Sequence, residues 1–268
     1  MPQPPKNLKD FNSLIQIVAD LRGPEGCPWD HDQNHQSLAP YAIEEVHELA
    51  EAIEQNDDVH MCEELGDVLF QVVLHSQLAK DRKKFDLSDV IESISEKVIR
   101  RHPHVFSDLK VADKNEILAN WDEIKRLEKS ARPQKARPID IPENLPALQR
   151  AFKIGEKTKK VNFDWIELKD VLKQLKLEII ELEEALAEPD STERHTHLQH
   201  EMGDILFSAA QVSRHLKIEP ESCLRSANRR FLLRFEKMLE LGSLSLEEFK
   251  NLSEQQKEIL WSDAKKEC

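Results

Sequence analysis

The chain has 268 residues, of which 51 are acidic and 38 basic, giving a formal net charge of −13. That length allows one large domain or two modest ones, each able to bury a core, and the acidic balance excludes a bare nucleic-acid or anionic membrane surface as the natural partner. An anionic substrate would need a cation between itself and the protein.

Cys27, Cys62, Cys223 and Cys268 are scattered without a C-x-x-C pair, so ordinary reduced thiols are expected. There is no leading apolar run and no charge-free stretch of membrane-spanning length, so a cytoplasmic location is expected. Apolar residues recur at helical spacing, as in Leu65, Val68, Leu69, Val72 and Val73, and alternating β-branched runs are missing. The pattern predicts an all-α fold.

In chain order, Trp29 in GCPWD precedes a helix, YAIEEVHELAEAIEQ, a polar break at Asn56, Asp57 and Asp58, and a second helix, CEELGDVLFQVV. A later helix carries Lys97 and Arg101, and Pro103 in the HPH run reads as its stop. Trp121 follows in NWDEIKR. Between Arg132 and Pro146 four prolines interrupt any helical pattern, which marks a linker. We therefore expect domains at residues 8–130 and 143–268, joined by residues 131–142.

The second half repeats the first. Trp29 recurs as Trp165, Glu48 as Glu181, Glu64 as Glu201, Lys97 as Arg230 and Trp121 as Trp261, each pair separated by nearly the same length of chain. A near-constant offset for unrelated residue types points to an internal duplication, with a period too long for a solenoid. The second hairpin reads LKLEIIELEEALAE, a break from Pro189 to Thr192, then HEMGDILFSAAQV.

Spacing predicts what these hairpins bring together. Glu45 and Glu48 share one helix face, as do Glu64 and Asp67. The pairs Glu48/Glu64 and Glu45/Asp67 both centre on residue 56, at the turn, so the four carboxylates fall at matched heights on two antiparallel helices. Glu181/Glu201 and Glu178/Asp204 both centre on residue 191. Gly66 and Gly203, at matched positions inside helical patterns, suggest a close helix approach, since glycine there costs about 1 kcal/mol relative to alanine.

Two ionised carboxylates about 4 Å apart repel by roughly 4 kcal/mol at an effective dielectric near 20. Protons or a metal must compensate, and an all-oxygen donor set favours Mg²⁺ or Mn²⁺, cations that also reach for phosphates. The basic pairs Lys97/Arg101 and Arg230/Arg234, each at i, i+4, could meet those phosphates. Trp121 and Trp261 could stack on a base or simply pack. His195, His197 and His200 precede Glu201; the first two fall in a predicted loop, and their spacing matches no standard transition-metal site. Phosphate-cradling glycine loops and nucleophile motifs are missing.

E-E-x-x-E at Glu44, Glu45 and Glu48, followed by E-L-G-D at Glu64 to Asp67, with GCPWD before and RRHPHVF after, resembles the MazG family of nucleoside triphosphate pyrophosphohydrolases. The resemblance implies tandem four-helix-type domains, a homodimer, Mg²⁺, and hydrolysis of NTPs and dNTPs to monophosphate and pyrophosphate. It implies metal ligands Glu45, Glu48, Glu64 and Asp67 in the first half and Glu178, Glu181, Glu201 and Asp204 in the second, with Arg230, Arg234 and Trp261 on the nucleotide. Glu44 is implicated in catalysis, yet the second half has Leu177 at its position. Tandem members can concentrate activity in the C-terminal half. Two other classes fit less of the pattern: a non-catalytic nucleotide- and metal-binding regulatory module, and a di-iron carboxylate bundle, which needs E-x-x-H on two helices where only Glu44 to His47 supplies one.

Overall fold

A computed structural model describes residues 1–107, 109, 111, 113–130 and 139–268. Among these there is no strand, and the chain divides into two compact units, Met1–Pro133 and Gln134–Cys268. Most of the expected linker, residues 131–138, lies outside the described residues; 139–142 carry no helix. No described helix is long and apolar enough to cross a membrane.

The first unit is built from α1 (Phe11–Leu21), α2 (Pro28–Asp32), α3 (His35–Gln55), α4 (Asp58–Asp81), α5 (Leu87–Arg101), α6 (Pro103–Phe106) and α7 (Lys114–Ser130). Local chemistry sets the ends of its central hairpin. Asn34 caps α3 in a reciprocal box with Ser37, Asn56 ends it in the left-handed conformation at φ 55°, and Asp57 accepts from the first free amides of α4. Pro103 opens α6 at its first turn, where its missing N–H is not needed. The core joins Val18 of α1, Leu38 of α3 and Val73, Leu74 and Leu78 of α4. Burying five such side chains is worth about 1.5–3 kcal/mol each, which fixes α1 across the hairpin.

The second unit comprises α8 (Ala147–Lys159), α9 (Leu168–Ala187), α10 (Thr192–His215), α11 (Pro220–Gly242), α12 (Leu246–Lys250) and α13 (Glu254–Glu267). Ser191 caps α10, and α9 and α10 form the second hairpin. Here α8 meets α10 through polar groups: Gln211 donates to the Ala151 carbonyl at 2.7 Å, and Arg214 donates to Gln211 and to Asp164. These buried groups tolerate desolvation because each is bonded.

The glycines correct one expectation. A Cβ at Gly66 or Gly203 would meet nothing within 4 Å, so neither permits a close approach within the chain. Both lie on exposed helix surface, turned away from the face that carries the paired carboxylates. The close approach is at Gly155, where a Cβ would stand 2.0 Å from Gln211 Oε1 and 2.3 Å from Arg214 Nε.

Candidate metal and phosphate site

In the first unit Glu45 and Glu48 of α3 and Glu64 of α4 each bring a carboxylate oxygen within 4.8 Å of the others. Asp67 lies close enough for its charge to act on Glu45. Desolvation raises the Glu45 pKa, and the negative charges of Asp67, Glu48 and Glu64 add to it, opposed only by a hydrogen bond from the Gln71 amide. Glu64 is buried; His60 Nε2 lies 2.8 Å from its Oε1, while Oε2 has no partner. Glu44 is exposed and takes no part in the group.

The second unit repeats the arrangement with Glu178, Glu181 and Glu201, again within 4.8 Å of one another. Desolvation and the charges of Glu178 and Glu201 raise the Glu181 pKa. Gln174 Nε2 donates to Glu178 at 2.8 Å. Asp204 joins through a histidine: His200 Nδ1 lies 3.3 Å from Glu201 and 3.2 Å from Asp204. The hydrogen bond to Glu201 and the nearby Asp204 charge raise the His200 pKa.

The loop expected at His195 and His197 is helical instead. Both lie on α10, because Ser191 starts the helix ahead of them. The i, i+4 spacing of His200 and Asp204 was the available signal for their contact. In the first unit the matching position is Glu63, and the histidine beside the carboxylates is instead His60, one turn before Glu64.

The basic pairs are treated differently in the two units. Arg101 donates to Glu128 of α7 at 2.5 Å, and Arg100 donates to the same carboxylate at 2.7 Å. The two guanidiniums hold the Glu128 pKa down to about 2. Lys97, half-buried on the same face, makes no ion pair among the described residues. In the second unit Arg230 donates to Ser226 at 2.7 Å, and Arg234 Nε is buried without a partner. Cys268 stands where the offset between Trp121 and Trp261 would put a counterpart of Glu128, so the second arginine pair lacks this clamp. Trp121 sits 6.4 Å from His102, with Lys125 over its ring at 4.1 Å; Trp261 packs on Phe231 at 5.2 Å, with Lys265 over its ring at 5.3 Å.

The donor set suits a hard divalent cation. It is all oxygen in the first copy, its members raise one another's affinity for positive charge, and the orphaned Glu64 Oε2 is a buried acceptor in need of a cation or proton.

A family model described as the MazG nucleotide pyrophosphohydrolase domain matches residues 33–106, from α3 through α6. The chain is 46% identical over 231 residues to the nucleoside triphosphate pyrophosphohydrolase/pyrophosphatase MazG of Thermotoga maritima, covering 86% of each chain. It is 37% identical over 263 residues to the nucleoside triphosphate pyrophosphohydrolase of Escherichia coli K12, covering 97% of this chain and 98% of that one. It is also 44% identical over 257 residues to the uncharacterized protein YabN of Bacillus subtilis, covering 96% of this chain but only 52% of the relative, so it spans about half of that protein. With the carboxylate hairpins in place, and with relatives of this name matched along most of its length, the chain belongs to the MazG nucleotide pyrophosphohydrolase family.

Proposed function

We propose that this protein hydrolyses nucleoside triphosphates, ribo- and deoxyribo-, to the monophosphate and pyrophosphate with Mg²⁺ as its cofactor, Mn²⁺ being able to substitute. The observation that carries the reading is the pair of matched carboxylate groups, one of which contains a buried acceptor without a partner. The names of the relatives support the same activity.

Glu45, Glu48, Glu64 and Asp67 would hold the cation in the first copy, and Glu178, Glu181, Glu201 and Asp204 in the second. Bound there, Mg²⁺ would supply Lewis-acid polarisation of the triphosphate and charge neutralisation between phosphate and protein. The protein's own groups then have distinct tasks. A glutamate at the edge of each group, outside the ligand set, would take the proton from an attacking water. Arg230 and Arg234 are free of carboxylate partners among the described residues and suit the departing pyrophosphate. Arg101 is held by Glu128, which favours the second copy as the more active one.

A homodimer is part of this reading. Leu65, Leu69 and Val72 on α4 and Met202 and Leu206 on α10 are at least 40% exposed, and a second chain would cover them. The test of the activity compares Glu48→Ala with Glu181→Ala across a panel of NTPs and dNTPs, measuring monophosphate and pyrophosphate. Both lose turnover, Glu181→Ala more; equal residual activity refutes the assignment to the second copy. Binding without turnover in the parent chain would leave a regulatory module instead.

A further inference from the structure

In each copy one carboxylate of the group, Glu45 or Glu178, takes a hydrogen bond from a glutamine amide. The two glutamates correspond, at the offset that relates Glu48 to Glu181. The two glutamines do not. Gln71 stands on α4, across the hairpin from Glu45. Gln174 stands on α9, one turn before Glu178 on the same helix, and donates to it at 2.8 Å.

Both nonetheless occupy one level of their hairpins. Tyr41 and Gln71 centre on residue 56, as Glu45 and Asp67 do, and Gln174 and Ser208 centre on residue 191. Equal spacing from the turn puts each pair at one height, a helical turn beyond the carboxylates. At that height the first copy has tyrosine and glutamine, the second glutamine and serine. The amide has changed helices while its target has stayed the same. The residue opposite explains the exchange in each case. Tyr41 is turned to Trp29, edge to face with ring centroids 6.1 Å apart, so the donor comes from α4. Ser208, 2% exposed, is too short to cross the hairpin, so the donor comes from α9.

Packing does not account for Gln71. Its side chain is 7% exposed and its Oε1 is buried without a partner. Turning the amide over would set an oxygen against the Glu45 carboxylate and orphan an N–H instead, which is tolerated less well. A leucine would occupy similar space and leave no polar atom unsatisfied. What the amide adds at this position is the bond it gives.

We propose that Gln71 and Gln174 are equivalent positioning residues, each fixing the rotamer of one carboxylate, Glu45 or Glu178, by holding one of its oxygens and leaving the other for the cation. The proposal rests on the carboxylates being the cation site. A ligand already held in place loses less rotamer freedom when the ion binds, and an N–H donated to a carboxylate favours its charged form.

The test measures Mn²⁺ affinity, by electron paramagnetic resonance of the free ion, in full-length chains with one copy disabled. Glu181→Gln with Glu201→Gln leaves the first copy, and Glu48→Gln with Glu64→Gln leaves the second. Gln71→Leu in the first background and Gln174→Leu in the second each weaken Mn²⁺ binding about tenfold or more, as loss of a bond to a metal ligand does. Adding Tyr41→Gln to Gln71→Leu supplies the amide from the helix that the second copy uses, and restores most of the affinity. A merely structural glutamine would not be rescued from the other helix. Thermal unfolding in EDTA is the control: Gln71→Leu, which removes the orphaned oxygen, melts no lower than its parent. A variant that melts lower or fails to fold makes Gln71 a structural group and overturns its role. Unchanged Mn²⁺ affinity in either leucine variant overturns the proposed equivalence, and so does a Tyr41→Gln chain no tighter than Gln71→Leu alone. Failure of both parental backgrounds to bind Mn²⁺ is a different result: it removes the cation site itself, and the role of the glutamines with it.

Discussion

Replacing Glu64 by glutamine should reverse sign with the metal. One pair of ionised carboxylates at the 4.8 Å limit of this group repels by about 3.5 kcal/mol at an effective dielectric of about 20 and by about 0.9 kcal/mol in bulk water. Glu64 faces both Glu45 and Glu48 within that limit. His60 at 2.8 Å and the raised affinity of Glu45 for a proton relieve part of the strain. A net gain of about 1–3 kcal/mol remains for Glu64→Gln in metal-free protein, where the amide can donate to its former rivals. For a unit of this size that raises its Tm by about 3–10 °C. In Mg²⁺ the order inverts, because a ligand at a hundred times its Kd stabilises the parent by about 2.7 kcal/mol and the variant has lost a donor. Thermal unfolding in EDTA and in excess Mg²⁺, followed by fluorescence, reads both states. A variant less stable than the parent by the same amount in both buffers would refute the argument, since Glu64 would then be a structural hydrogen-bonding group indifferent to cations.

Other consequences follow from single contacts. The Glu128 clamp is pH-dependent with a definite sign: its folded pKa of about 2 lies below the ordinary value of about 4.3, so its contribution is full above that value and fades as pH falls toward about 2. The stability gap between parent and Glu128→Gln should be flat from pH 5 to pH 8, by urea unfolding, and close below about pH 4; a gap that widens on acidification contradicts the ion pair. Gly155→Ala should destabilise the second unit by about 1–3 kcal/mol through overpacking on Gln211 and Arg214. Gly66→Ala, with nothing within 4 Å of the new methyl, should leave the fold at least as stable. Equal midpoints for the two glycine variants in chemical denaturation would show that the close approach at Gly155 is not real.

What the sequence by itself determined is what helical periodicity carries. Residues three or four apart share a face, Asn56 and Ser191 mark chain reversals through their turn and cap chemistry, and equal spacing about those turns brings Glu45, Glu48 and Glu64 together, and likewise Glu178, Glu181 and Glu201. The motif resemblance then led to the family. Only the tertiary structure decided which distant groups meet: Arg101 with Glu128, Gly155 with Gln211 and Arg214, His35 with His75. It also showed Gly66 and Gly203 to be open rather than pressed, and put Gln71 against Glu45 with an unused acceptor. The physical reason is range. A hydrogen-bonded helix sets the relation of each residue to its neighbours one turn away, while contacts between helices depend on crossing geometry and side-chain volume that no local spacing records.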